Sequence, residues 1–118
     1  MRTIGLIGGM SWESSAHYYR IINQQTAKRL GGLNSAPLLL HSVNFAPIAK
    51  MQAENDWTAA GAIMVKAAKG LEDAGAEILA IATNTMHIVA FEVSQAVDIP
   101  LIHIAAPTAN KLLHDGVK

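Results

Sequence analysis

Apolar positions along this chain fall into short runs, separated by longer stretches in which they recur every three or four residues. "TIGLIGG" (3–9) is an apolar run closed by two glycines, and "SWESSAHYYRIINQQTAKRL" (11–30) then spreads Tyr18, Ile21, Ile22 and Leu30 among polar residues. The first pattern predicts a buried strand and the second a helix, joined by a tight turn. Gly31 and Gly32 stop that helix. "APLLLHSVNF" (36–45) predicts a second strand with Pro37 at its entry, where a missing N–H does least harm. After a connecting stretch, Asp56 is placed to cap a helix carrying Ala60, Ile63, Met64, Ala67 and Leu71, and Gly75 ends it. "EILAIA" (77–82) predicts a third strand, "TMHIVAFEVSQAV" (85–97) a helix and "IPLIHI" (99–104) a fourth strand. "PTANKLLHDG" (107–116) predicts a last helix, with Pro107 in its first turn and Gly116 past its end.

Strands thus alternate with helices four times, and the strand interiors are nearly continuous apolar runs. Burial on both faces of a parallel sheet demands that pattern, so the expected fold is α/β, a doubly wound four-stranded parallel sheet flanked by helices. The 118 residues, 51% apolar and 15% charged, suit a single domain over 1–118 with one core. Nine Lys and Arg balance nine Asp and Glu, and they are scattered, which leaves no electrostatic footprint for nucleic acid or an anionic membrane. No apolar stretch approaches the roughly 18 residues of a membrane span, and "MRTIGLIGG" lacks the features of a secretory signal, so the default expectation is the cytoplasm. Cysteine is absent altogether, which excludes disulfides and thiolate metal sites within these residues.

In an open parallel sheet, ligands sit beyond the carboxyl ends of the strands. Two loops there carry suitable chemistry. "GGMSWES" (8–14) turns the chain at two glycines, with Ser11 as a helix cap and the amides around Met10 and Ser11 available to an anion. Its glycine spacing is not G-x-G-x-x-G and it lacks a phosphate-loop Lys, so it is either a generic anion cradle or simply a tight turn. "ATNTMH" (82–87) is the second loop. Asn84 and Thr85 can cap the following helix, but a cap needs one such residue; Thr83, Asn84 and Thr85 together suit a small carboxylate. Gln52 lies in the loop or short helix after the second strand, where it can reach a ligand or stay solvated. His87 stands next to the second loop, whereas His17, His41, His103 and His114 are dispersed without ligand spacing, so no metal is expected. Trp12 and Trp57 are expected to pack, with Trp12 also able to wall a pocket.

These residues resemble the N-terminal half of the aspartate/glutamate racemase family, the cofactor-independent amino-acid racemases. The resemblance rests on "IGLIGGMSWESS" with "YY" and "IN" after it (4–15, 18–19, 22–23), "LLLHSVNF" (38–45) and "TNTMH" (83–87). It implies two similar α/β domains in a chain about twice as long, an active site between them, and often a homodimer. Residues 1–118 would then be the N-terminal domain, the C-terminal domain lying outside this chain. In members with two bases, a cysteine directly precedes the Asn-Thr pair and a second comes from the other domain. Thr83 stands in the first cysteine's place. By the same carry-over, Met10, Ser11, Asn84 and Thr85 hold the substrate, with Gln52 as a further contact.

Racemisation removes a very weakly acidic Cα proton on one face and returns one on the other. A thiol of pKa about 8.5 provides an accessible base near neutral pH; a threonine hydroxyl does not. The resemblance therefore leaves two readings open: a one-sided catalyst in which Thr83 faces a cysteine from the second half, or a non-catalytic homologue that binds an amino acid. In both, the isolated chain is expected to be inactive. A nucleotide- or phosphate-binding α/β domain using the Gly8-Gly9 turn is the reading from outside the family.

Overall fold

The computed structural model describes residues 2–82 and 89–103. The elements run β1 (Ile4–Gly8), α1 (Trp12–Leu30), β2 (Leu38–Ser42), α2 (Phe45–Ala53), α3 (Trp57–Asp73), β3 (Ile78–Ile81), α4 (Ala90–Ala96) and β4 (Leu101–His103). All pairings are parallel and the strand order is β2-β1-β3-β4. The expected α/β class and four-stranded parallel sheet are therefore observed. The last predicted helix, 107–116, and the start of the helix predicted from 85 lie outside the described residues.

Alternation along the strands divides the core in two. Ile4, Leu6, Ile78 and Ala80 pack with Ile22 of α1 on one face of the sheet. Ile7, Leu79 and Ile81 pack on the other with Met64, Ala67, Ala68 and Leu71 of α3 and Val93 of α4. Every position of β1 and β3 is buried, as the continuous apolar runs demand of central strands. β2 differs. As an edge strand it is only partly buried at Leu38 and Leu39 and exposed from Leu40 to Ser42, so burial on both faces does not extend to it.

Two boundaries depart from expectation after β2. The strand ends at Ser42 instead of running to 45, and the connecting stretch is the helix α2. The reason is local: the Asn44 side chain accepts a hydrogen bond from the Ala46 N–H at 3.4 Å and caps the helix. Pro47 then falls in the first turn, where its missing N–H has no intrahelical partner to lose. Asp56 caps α3 as expected, accepting from the Ala59 N–H at 3.2 Å. Among the described residues, no helix is long and apolar enough to cross a membrane.

Candidate active site

The strand order fixes where a crevice opens. From β1 the chain crosses to β2 on one side, and it later returns to β3 on the other, so the carboxyl ends of β1 and β3 form the topological switch point. The two loops singled out by their chemistry are the ones that leave the sheet there. Ile7 pairs with Ile81 in register, and the Ala82 N–H donates to the Ile7 carbonyl at 2.8 Å.

The β1–α1 loop is held by one buried hydroxyl. Ser15 Oγ accepts from the Gly9 N–H at 3.0 Å and donates to the Ser11 carbonyl at 3.2 Å. A Cβ on Gly8 would collide with that oxygen, and a Cβ on Gly9 would collide with the Val43 carbonyl. Gly9 also has φ +95°, a left-handed conformation that side chains resist. The Val43 N–H in turn donates to the Gly8 carbonyl at 2.8 Å, tying the loop to the end of β2. Glycines at 8 and 9 are therefore required both by space and, at 9, by backbone conformation.

Ser11 is the N-cap of α1, as expected; its Oγ accepts from the Ser14 N–H at 3.4 Å and donates to Ser14 Oγ at 3.0 Å. Met10 is placed differently from a side-chain ligand: it is 4% exposed and belongs to the core cluster that contains Ile48 of α2. Only its main chain can face the crevice. Among the described residues, no hydrogen bond from the N–H groups of Met10 and Ser11 is observed.

Gln52 is half-buried in the last turn of α2, about 12 Å along the helix from Asn44 at 1.5 Å per residue. Its carbonyl accepts from the Asn55 N–H at 3.1 Å. Met10 and Ser11 are thus side by side, while Gln52 belongs to a separate element. Thr83, Asn84, Thr85 and His87 lie outside the described residues. Trp12 is not a packing residue: it is 70% exposed. Trp57, by contrast, packs against the core. His17 and His41 are exposed, and His17 Nδ1 lies 3.1 Å from Arg20 Nη2.

Ser15 was not among the residues that the loop chemistry suggested. Its signal lies in helical spacing, since Ser15, Ile22 and Thr26 are the buried residues of α1. A serine on the buried stripe, one turn after a cap and six residues after a glycine, marks a hydroxyl that serves the backbone.

Strand order, a two-faced core and a glycine turn leading into a capped helix at the switch point define an α/β domain with a parallel four-stranded sheet. Its relatives supply the chemistry. Residues 7–118 match the Asp/Glu/hydantoin racemase family, and the chain belongs to that family. It is similar to the crystal structure of a putative Asp/Glu racemase from Yersinia pestis, with 48% identity and a TM-score of 0.87, over 98% of this chain and 50% of that one. It is similar also to an aspartate racemase homologue from Pyrococcus horikoshii OT3, with 33% identity and a TM-score of 0.77, again over 98% and 50%. The chain spans about half the length of these structures.

Proposed function

We propose that this chain is one domain of a cofactor-independent racemase of aspartate or glutamate, with Thr83 in the position of the first base and the second base carried by a further domain. The observation that carries this reading is the adjacency of the two loop origins at the switch point: Ala82, immediately before Thr83, is hydrogen-bonded to Ile7, immediately before the Gly8-Gly9 turn. Membership of the racemase family supports the reaction class.

In this reading the N–H groups of Met10 and Ser11, with Asn84 and Thr85, hold the substrate's carboxylates and amino group. Neutral donors at helix starts stabilise a carboxylate and the charge developing at Cα without a counterion that would itself need pairing. Gln52 is the outermost contact. No thiol exists in the chain, and the Thr83 hydroxyl is far less accessible as a base near neutral pH than a thiol would be. A cysteine across the cleft would then serve one enantiomer well, and Thr83, or water held by it, would serve the other poorly. The same lack of a thiol favours one second reading, a homologue that binds the amino acid without turning it over.

Proton NMR in deuterated buffer tests this. The chain is expected to bind aspartate or glutamate, with amide shifts at Met10 and Ser11, and to leave the Cα proton unexchanged. Thr83→Cys is expected to introduce deuterium at Cα of one enantiomer with retained configuration, since a single base takes and returns the proton on one face. Exchange by the unsubstituted chain would show that no thiol is needed. Binding of a nucleotide with no response to either amino acid would replace the whole reading.

A further inference from the structure

One buried oxygen brackets the loop that the proposed site uses. Ser15 Oγ accepts from the Gly9 N–H at 3.0 Å and donates to the Ser11 carbonyl at 3.2 Å. It therefore holds the peptide group that enters Gly9 and the one that leaves Ser11. Two peptide groups lie between these, and they carry the N–H groups of Met10 and Ser11. Among the described residues, neither N–H is seen to donate within the chain. The Met10 side chain anchors the middle of the segment in the core. The Ser11 hydroxyl is engaged as well, accepting from the Ser14 N–H and donating to Ser14 Oγ. Both hydroxyls thus serve the turn itself, and what Met10 and Ser11 can offer a ligand is main chain.

Resting on the carboxylate site proposed above, we infer that Ser15 is its positioning residue: without touching the ligand, it sets which amides of the glycine turn face it. The Gly9 N–H is turned inward to Ser15 and withheld, while the next two amides are held between fixed neighbours. A hydroxyl can do this because it accepts and donates at once; a methyl does neither. After Ser15→Ala the Ser11 carbonyl keeps its bond from the Ser15 N–H at 3.0 Å, so the freedom gained is at Gly9. The peptide group between Gly8 and Gly9 would then be held at one end only, by the Val43 N–H on its carbonyl at 2.8 Å. Neutral donors stabilise an anion well only when they are already aligned, and donors that must be ordered on binding cost affinity. Ser15 also borders a concavity of about 360 Å³ with Leu40 and Ser42 of β2, which gives the added methyl of a threonine space beside the retained hydroxyl.

Calorimetric titration of the chain with both enantiomers of aspartate and of glutamate tests this, each affinity being corrected for the folded fraction read by far-UV circular dichroism. For whichever of these the unsubstituted chain binds, Ser15→Ala is expected to raise Kd by about tenfold or more, and Ser15→Thr to keep it within about threefold. Thr26→Val removes the other buried hydroxyl of α1, which donates to the Ile22 carbonyl at 2.8 Å away from the turn, and is expected to leave Kd unchanged. Amide spectra give a second readout: ligand is expected to shift the Gly9 N–H more in Ser15→Ala than in the unsubstituted chain, because that donor is no longer withheld. Unchanged affinity in Ser15→Ala overturns the role of Ser15 and leaves the proposed site standing. So does a folded Ser15→Thr as weak as Ser15→Ala, or an equal loss in Thr26→Val. An unsubstituted chain that binds none of the four amino acids overturns the site and the role of Ser15 together.

Discussion

Ser15 and Thr26 are the two buried polar side chains among the described residues, 3% and 0% exposed, and each hydroxyl bonds backbone. Their removal nevertheless has unequal costs. Thr26 Oγ1 donates to the Ile22 carbonyl at 2.8 Å, an oxygen that also accepts the N–H four residues on in any α-helix. Thr26→Val deletes a redundant donor, leaves no group unpaired and keeps the side chain's shape. Its expected cost lies within about 0.5 kcal/mol, since removing a polar partner that orphans nothing is nearly neutral. Ser15 Oγ is different because it also accepts. The Ser11 carbonyl keeps the Ser15 N–H at 3.0 Å after Ser15→Ala, but the buried Gly9 N–H loses the acceptor it has at 3.0 Å. Leaving that donor unpaired costs about 1–3 kcal/mol, out of a total stability of about 5–15 kcal/mol for a domain of this kind.

Urea titration separates the two variants. With a slope of about 2 kcal/mol/M, a difference near 2 kcal/mol moves the midpoint of Ser15→Ala about 1 M below that of Thr26→Val at unchanged slope. Amide exchange supplies the local readout, with the Gly9 N–H accelerated in Ser15→Ala and unchanged in Thr26→Val. Equal midpoints, or a Ser15→Ala cost below about 0.5 kcal/mol, would refute the claim that this hydroxyl holds the loop bearing Met10 and Ser11.

Two further contrasts follow from the geometry. Gly9→Ala places a Cβ against the Val43 carbonyl and 2.7 Å from Ser42 Oγ at φ +95°, and is expected to cost about 3–5 kcal/mol from strain plus overpacking. Gly70→Ala, in α3 with nothing within 4 Å of the new methyl, is expected to stabilise by about 0.5–1 kcal/mol; thermal melts of the pair read both signs. Glu72 Oε2 accepts from the Asp98 and Ile99 N–H groups at 2.7 and 3.3 Å, joining α3 to the segment that enters β4. Glu72→Ala is expected to cost about 1–2 kcal/mol and to speed exchange at both amides, and Glu72→Gln, which keeps an acceptor, to recover part of it.

The alternation of strands and helices was legible because central parallel strands must be apolar on both faces, and β1 and β3 are buried at every position. The edge strand was less legible: its "LLLHS" resembles a central strand, and only its position beside β1 alone leaves Leu40 exposed. Helix α2 was hidden because Asn44 can cap a helix as easily as it can sit in a turn, and the choice between them is made by packing of Ile48 into the core. Met10 was legible as part of a candidate ligand loop, but the direction of its side chain was not. That direction is set by where α2 and α3 lie, which is long-range information.

What the chain itself could not reveal about the site was the neighbourhood of its two loops. The polarity changes after Gly8 and after Ala82 are local, whereas the distance between them depends on β3 pairing with β1 instead of with β2. That pairing brings together the ends of two strands that are more than seventy residues apart, and among the described residues the Ala82 to Ile7 hydrogen bond is its last rung. The same rung sets a constraint on chemistry. Ile7 and Met10 belong to one core cluster with Met64 and Ile81, so the glycine loop cannot shift relative to the end of β3 without disturbing close-packed side chains. Donors fixed in this way need no reorganisation when charge develops on a bound substrate, which is the condition under which neutral N–H groups stabilise an anion best. On the proposed function, a domain without a thiol keeps these donors, and for this reason binding without turnover is the expected behaviour of this chain.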